Sequence, residues 1–414
     1  MLTLPRFKQA PMNSFSSTFG IASLRGRRLF AVVLLALPLT ACRPHDFPTY
    51  PANYREYAYV TNGDSGTVTV LDVVNVRVDR ELAVGQNPVA VSASAIRNEV
   101  YVVNSGAAGA QGSISVINAE NNTVAAVIAV HRQPVSIELD PAGDLAYVAN
   151  SGSNSISVLD LKARSEIAQI GAGEGPASAR LSPDGKTLVV ANRDGNSVSL
   201  IDPETRTVRA VFPGCPGAAD AVILPDSSKA FVACSKGHQI MAIALGRLKS
   251  NPSQPDRLES LLDVGHAPVQ LALKPDGGEL FASNSLSGSI SEVVTSTDDV
   301  GGAYMMGDNP VHGLVSSDNS TLYVSDFHSQ YVTVYAIDDG KRISSIQVGD
   351  GPSALAFSAS GYLLLVVDTR SNDVAVVRTA APPATPTEAI RYSFTLLSTG
   401  RAPNAIAVKA FKLP

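Results

Sequence analysis

The stretch YVANSGSNSISVLD, Tyr147 to Asp160, constrains this chain more than any other feature, because versions of it return eight times. Tyr147 to Asn150 is an aromatic and β-branched run, SGSN has turn chemistry, and SISVLD alternates polar and apolar side chains as a half-buried strand does. The unit reads as a β-hairpin. Its first strands end at Asn62, Asn104, Asn150, Asn192, Cys234, Asn284, Asp326 and Asp368, and neighbouring ends lie 42, 46, 42, 42, 50, 42 and 42 residues apart. A period of that size with several strands per unit is the signature of propeller blades.

Upstream of most hairpins, a turn such as GQNP, GEGP, GHAP or GDGP introduces a further strand, the inner strand A. It closes in a tight turn such as SPDG (Ser182 to Gly185), where Pro presets φ and Gly takes the left-handed position. The hairpin supplies strands B and C, and a run such as Thr123 to Val130 supplies strand D. The Asn ending strand B reads as structural, its short amide suited to bonding the turn backbone. Apolar residues of A, B and C are expected to pack blade against blade, which leaves few exposed sheet edges.

YVTN at Tyr59 to Asn62, its seven variants, the TVTVLD-like second strands and the GxxP and SPDG turns resemble the YVTN family of β-propeller repeats. The resemblance runs from Tyr57 to Val408 and implies an all-β propeller of four-stranded antiparallel blades. It implies no catalytic group, since the family motif describes blade architecture. Strand B of the first hairpin lacks a strand A before it, while the C-terminal GRAPNAIAVKAF is a GxxP turn and strand A without a hairpin. The last strand therefore completes the first blade. Eight hairpins with eight inner strands give eight blades, with seven, the commoner number in the family, as the alternative. Insertions at SGAAGAQG (Ser105 to Gly112) and GRLKSNPSQPD (Gly246 to Asp256) account for the two long periods, and PPATPTE (Pro382 to Glu388) interrupts the last blade.

Residues 1–41 read as a lipoprotein signal peptide, 42–56 as lipidated cysteine and tether, and 57–414 as the propeller. Arg25, Arg27 and Arg28 precede the apolar LFAVVLLALPL, and LTAC resembles the bacterial lipobox with Cys42 as its modified residue. Arg43 after the lipid site favours the outer membrane, facing the periplasm. In an oxidising compartment the remaining pair, Cys215 and Cys234, is expected to form a disulfide, because both exceptions to the repeat fall where strand B ends near the entry of strand A.

Removing the signal peptide, with its five basic and no acidic residues, takes the formal charge from -5 to -10. That argues against nucleic acid as a partner, since phosphate contacts need clustered Lys and Arg. GxSxG, HExxH, CxxCH, CxxC, Walker and calcium-loop signatures are missing from the sequence. Apart from His45 in the tether, the histidines fall at or near D-to-A turns and B-to-C loops, which share one face of a blade: His131, His238, His266, His312 and His328. Converging neutral imidazoles ligate transition metals. The candidate metal set is therefore His238, His266, His312 and His328 with Asp326, and the same arrangement offers an axial ligand to a haem. Polar loops also carry histidines with no such role. Asp220, on the inner strand of blade 5, is a candidate base.

The resulting expectation is a monomeric, lipid-anchored, non-catalytic binding or scaffold module for an envelope protein, glycan or small molecule, with no cofactor required. The alternatives are a lactonase-like hydrolase, since lactonases include related propellers, and a haem- or metal-binding redox propeller similar in shape to the eight-bladed haem-d domain of nitrite reductase. Mass spectrometry of the mature N-terminus is expected to find diacylated Cys42; an unmodified peptide there would exclude the anchor.

Overall fold

Alternation along strand B decides the architecture. Successive side chains of a strand leave opposite faces, and in Tyr54–Asn62 both faces are buried. Ala58 and Val60 pack with Leu363, Leu365 and Val367 on one side, while Tyr59 packs with Val100 and Val102 on the other. A sheet buried on both faces needs a neighbour on each, and a chain of such sheets is satisfied when it closes on itself. The computed structural model describes residues 48–246, 254–379, 393 and 395–413. Within them the chain forms eight antiparallel four-stranded sheets, the eight blades of a β-propeller. Eight apolar clusters fill the eight gaps between successive blades. Each fully buried Val, Leu or Ile contributes about 1.5–3 kcal/mol, so the core is a circle of comparable layers.

The inner strands are Pro403–Lys412 for blade 1, then Pro88–Ala93, Pro134–Leu139, Pro176–Leu181, Ala218–Ile223, Pro268–Leu273, Pro310–Val315 and Pro352–Phe357 for blades 2 to 8. Blade 1 is closed as expected, with a ladder running from Tyr54 opposite Lys412 to Asn62 opposite Pro403. That pairing draws the first strand back to Tyr54, three residues before the expected start at 57, because the C-terminal strand is long enough to reach it. The expected signal peptide, Cys42, His45 and the PPATPTE loop lie outside the described residues, as does most of the blade 5 insertion.

On one face, the D-to-A turn and the B-to-C loop of each blade are stitched together. The N–H of Ser105 donates to Asn87 O at 2.9 Å, Ser151 to Gln133 O at 2.9 Å and Phe327 to Asn309 O at 2.9 Å, each acceptor preceding the turn proline. Asn87, Gln133 and Ala267 reach this geometry at φ of 49°, 49° and 54°.

The repeat asparagines behave differently from the expectation. Their amides do not hold the turn backbone; Nδ2 instead donates to hydroxyls on strand C, usually at the fifth and seventh following positions, and at the ninth and eleventh for Asn104, whose loop is longer. Asn62 donates to Thr67 (3.0 Å) and Thr69 (2.9 Å), Asn192 to Ser197 (3.3 Å) and Ser199 (2.9 Å), and Asn284 to Ser289 (3.3 Å) and Ser291 (3.0 Å). The turn contributes proximity rather than a bond: a Cβ on Gly85 would lie 2.6 Å from Asn104 Cγ, which is why this turn position is glycine. In blade 5 the same junction is covalent. Cys215 and Cys234 are fully buried and joined by a disulfide with a Cα separation of 4.9 Å.

Blade 8 uses a third solution. Asp368 stands where other blades have Asn, Asp373 replaces the first hydroxyl, and Asp368 is fully buried. Its Oδ2 accepts the Gly349 N–H at 3.0 Å, and its carboxyl faces that of Asp373. Burial, opposed by that N–H and reinforced by the charge and hydrogen bond of Asp373, pushes Asp368 up to about 8. Held there, the Asp368 carboxyl keeps its proton at neutral pH, and the acid can donate toward Asp373 where an amide donates to strand C elsewhere. Because the folded value lies above the unfolded 3.8, this stability is complete below the unfolded value and is lost as pH rises through about 8. Asp368→Asn supplies a permanent donor. Denaturant melts between about pH 6 and pH 9 should show declining stability for the native chain and a flatter profile for the variant, which gains roughly 1–3 kcal/mol at the alkaline end; parallel profiles would dismiss a protonated Asp368.

Candidate functional site

The inner strands converge on a central channel, and a β-bulge near the start of each sets which side chain enters it. Register shifts fall between Pro88 and Ala90, Pro134 and Ser136, Pro176 and Ser178, Pro268 and Gln270, and Pro310 and His312. Bulges of this kind re-aim side chains. The equivalent position of every inner strand lies on the wall of a cavity of about 470 Å³. In blades 3 to 7 it is polar: Ser136, Ser178, Asp220, Gln270 and His312. In blades 8, 1 and 2 it is Ala354, Ala405 and Ala90, backed by Leu355, Ile406 and Val91; Asn404 is the one polar side chain lining this part, and its amide is tied to the Thr61 hydroxyl and Pro88 O. An eightfold repeat has thus produced a channel with a polar arc and an apolar arc.

Arg180, two positions further along its strand, enters the same cavity. Its guanidinium lies between two carboxylates, 3.3 Å from Asp220 Oδ1 and 3.4 Å from Glu138 Oε2. The ring encloses Arg180, yet 42% of its side chain is open to channel solvent, against 14% for Asp220 and 24% for Glu138. Asp220 Oδ2 takes the Leu271 N–H at 3.2 Å, and Oδ1 takes the Ser178 hydroxyl at 3.5 Å. Glu138 Oε1 accepts the Leu181 N–H at 3.4 Å. Burial pushes the Glu138 carboxyl above the usual carboxylate range, with Arg180 opposing.

His312 completes the arc. Burial pushes its imidazole down to about 4, with Asp220 opposing and Arg180 adding to the shift. It is therefore neutral at physiological pH, able to donate through one ring nitrogen and accept through the other. Gln270 has a structural duty, its Oε1 accepting the Gly313 N–H at 2.8 Å and its Nε2 donating to Leu271 O at 2.9 Å. Ser136 Oγ is enclosed without a partner within the protein.

The residues of the candidate metal set fall in several settings. His238 and His266 meet edge to face with ring centroids 5.6 Å apart. His328 Nδ1 lies 3.4 Å from Asp308 Oδ2 at the surface. Asp326 braces the turn of blade 7, accepting the N–H groups of Asp308 (2.9 Å) and Asn309 (2.8 Å). His131 pairs with Glu166 at 3.1 Å, and His312 alone of the five loop-proximal histidines is on the channel wall. Among the described residues no group of three or more His, Cys, Asp or Glu is placed to hold a metal ion. Asp220 is where the sequence suggested, beside the channel. Arg180 and Glu138 were missed, although a signal existed: each is a lone charge within an otherwise small or apolar inner strand.

No family model matches this chain, and no curated protein does. Among solved structures it is similar to the dihydro-haem d1 dehydrogenase NirN, with a TM-score of 0.67, 13% identity, and coverage of 87% of this chain and 76% of that one. It is also similar to AztD from Citrobacter koseri, with a TM-score of 0.63, 15% identity, and coverage of 86% and 98%. A third neighbour is a protein from Bacteroides uniformis provisionally assigned as a 6-phosphogluconolactonase, with a TM-score of 0.59, 16% identity, and coverage of 86% and 100%. At these identities the likeness establishes the propeller fold alone.

NMR titration is expected to find one imidazole that stays neutral to about pH 4. Asp220→Asn removes the charge that favours the imidazolium, so it should lower that value further, whereas Arg180→Gln should raise it. An imidazole titrating near 6.5 in place of this one would show that His312 is solvated.

Proposed function

We propose that this chain is an exported, lipid-anchored binding propeller that holds a small polar molecule in its channel and performs no chemistry on it. The observation carrying this reading is the one-sided polar arc. Arg180 and Asp220 join the inner strands of blades 3 to 6 through Glu138, Ser178 and the Leu271 N–H, and still line the cavity beside His312. Enclosed cavities with a few convergent polar groups and shifted ionisations are where ligands bind. Recognition groups are present, whereas the familiar nucleophile and metal motifs are missing from the sequence. The Cys215–Cys234 disulfide fits an oxidising compartment. No helix among the described residues is long and apolar enough to cross a membrane, so attachment in this reading falls to Cys42, with the outer membrane favoured by Arg43.

A second reading, a lactone hydrolase, is favoured by one observation: His312 is neutral and shares the cavity with Asp220 and Arg180, a base and an electrostatic partner for ester opening. The provisional assignment of the Bacteroides uniformis neighbour leans the same way. For the redox reading, an unprotonated imidazole suits an axial ligand, and NirN was solved in complex with DHE.

The full chain, purified in mild detergent, should retain a co-purifying small molecule under native mass spectrometry, lost in Arg180→Ala. It is expected to leave a panel of lactones unhydrolysed and to show no haem absorption. Turnover abolished by His312→Ala would replace the binding reading with the hydrolase, and a haem band would replace it with the redox one.

A further inference from the structure

The charges that face the cavity are not those of the whole cluster. Glu138 contacts Arg180 from behind and is absent from the cavity wall, whereas Arg180 and Asp220 are both on it. A ligand therefore meets one guanidinium and one carboxylate side by side, 3.3 Å apart. A lone anion placed there gains Arg180 and meets Asp220; a lone cation gains Asp220 and meets Arg180. Between protein walls such unfavourable contacts are screened less than at a free surface. A molecule with adjacent opposite charges of its own meets both groups favourably and adds no net charge to the channel.

Resting on the channel as the binding site, we infer that its ligand is a compact zwitterion, an α-amino acid with an aliphatic side chain. The Arg180–Asp220 contact is long and single, so guanidinium N–H groups remain for the ligand carboxylate. The ammonium group goes to Asp220 and to the acceptor nitrogen of His312. Ser178, on the same wall, supplies a further hydroxyl. The side chain lies on the opposite wall, where Ala354, Leu355, Ala405 and Ile406 are small or aliphatic. Among the cavity-lining residues none is Phe, Tyr or Trp, which disfavours a quaternary ammonium that relies on a cage of π faces and a sugar that relies on stacking. The close spacing of the two wall charges suits groups on a single carbon, as in an amino acid, better than the distant termini of a peptide.

Isothermal titration of the full chain with L-leucine and L-valine, set against 4-methylpentanoate and 3-methylbutylamine, tests this. The amino acids are expected to bind at least tenfold more tightly than either singly charged analogue. Arg180→Gln and Asp220→Asn should each weaken leucine tenfold or more, and His312→Gln, which alters no charge pair, should weaken it less; far-UV circular dichroism checks that each variant is folded. An analogue binding as tightly as leucine, through Arg180, would overturn the zwitterion while leaving the channel as the site. Leucine binding untouched by all three substitutions would place the ligand elsewhere and overturn both. No binding of either amino acid overturns the zwitterion, and the co-purified molecule then decides the channel separately.

Discussion

Packing of one sheet's face onto the next is the interaction on which everything else in this molecule depends. Each blade is too thin to bury its own apolar side chains, so Tyr59, Val102, Val190 or Leu364 becomes core once a second blade covers it. The requirement is circular. The last strand, Pro403–Lys412, must return to the first, Tyr54–Asn62, or two apolar faces remain open to water. Closure of the ring is therefore a condition of stability for all eight layers.

Once the ring is closed, the end of strand B has to be secured eight times, and the chain does so by three chemistries. Five blades use an asparagine amide against Ser or Thr on strand C. Blade 5 uses a disulfide. Blades 7 and 8 use aspartate, in one case as the acceptor of two turn amides and in the other as a buried acid. What the junction needs is a short polar or covalent link in a closely packed place. The substitutions track one another: where the Asn is lost, the paired hydroxyls of strand C are lost in part or whole, as at Gln239 and Met241 or Asp373 and Ala375.

The channel departs from this regularity. Eight equivalent positions have the same backbone geometry, and five of them, in consecutive blades, carry polar side chains. Arg180 is held by residues some 40 positions away on either side in the chain, a distance that is one blade in sequence and a single contact in space. The result is a wall with a fixed positive group, a fixed negative group and a neutral imidazole facing a strip of alkyl surface, a pattern of recognition built on a scaffold that is indifferent to it.

Fold, blade number, ring closure and the Cys215–Cys234 link were legible because each rests on local or periodic facts: two-residue alternation, turn chemistry at Gly and Pro, a repeat length, and two exceptions falling in one blade. The bonding of the repeat asparagines was misjudged because turn and strand C offer similar partners, and the backbone geometry that selects the hydroxyls is set by packing. The histidines show the limit more sharply. Loop position by sequence put five of them on one face, yet His312 alone turned into the channel while His328 met Asp308 and His238 met His266. The sequence by itself determined a closed ring of eight blades, since hydrophobic periodicity acts along the chain. Only the tertiary structure decided that Arg180, Asp220 and His312 share a cavity, because the bulge that aims each inner strand and the closure that brings distant blades together act across the chain.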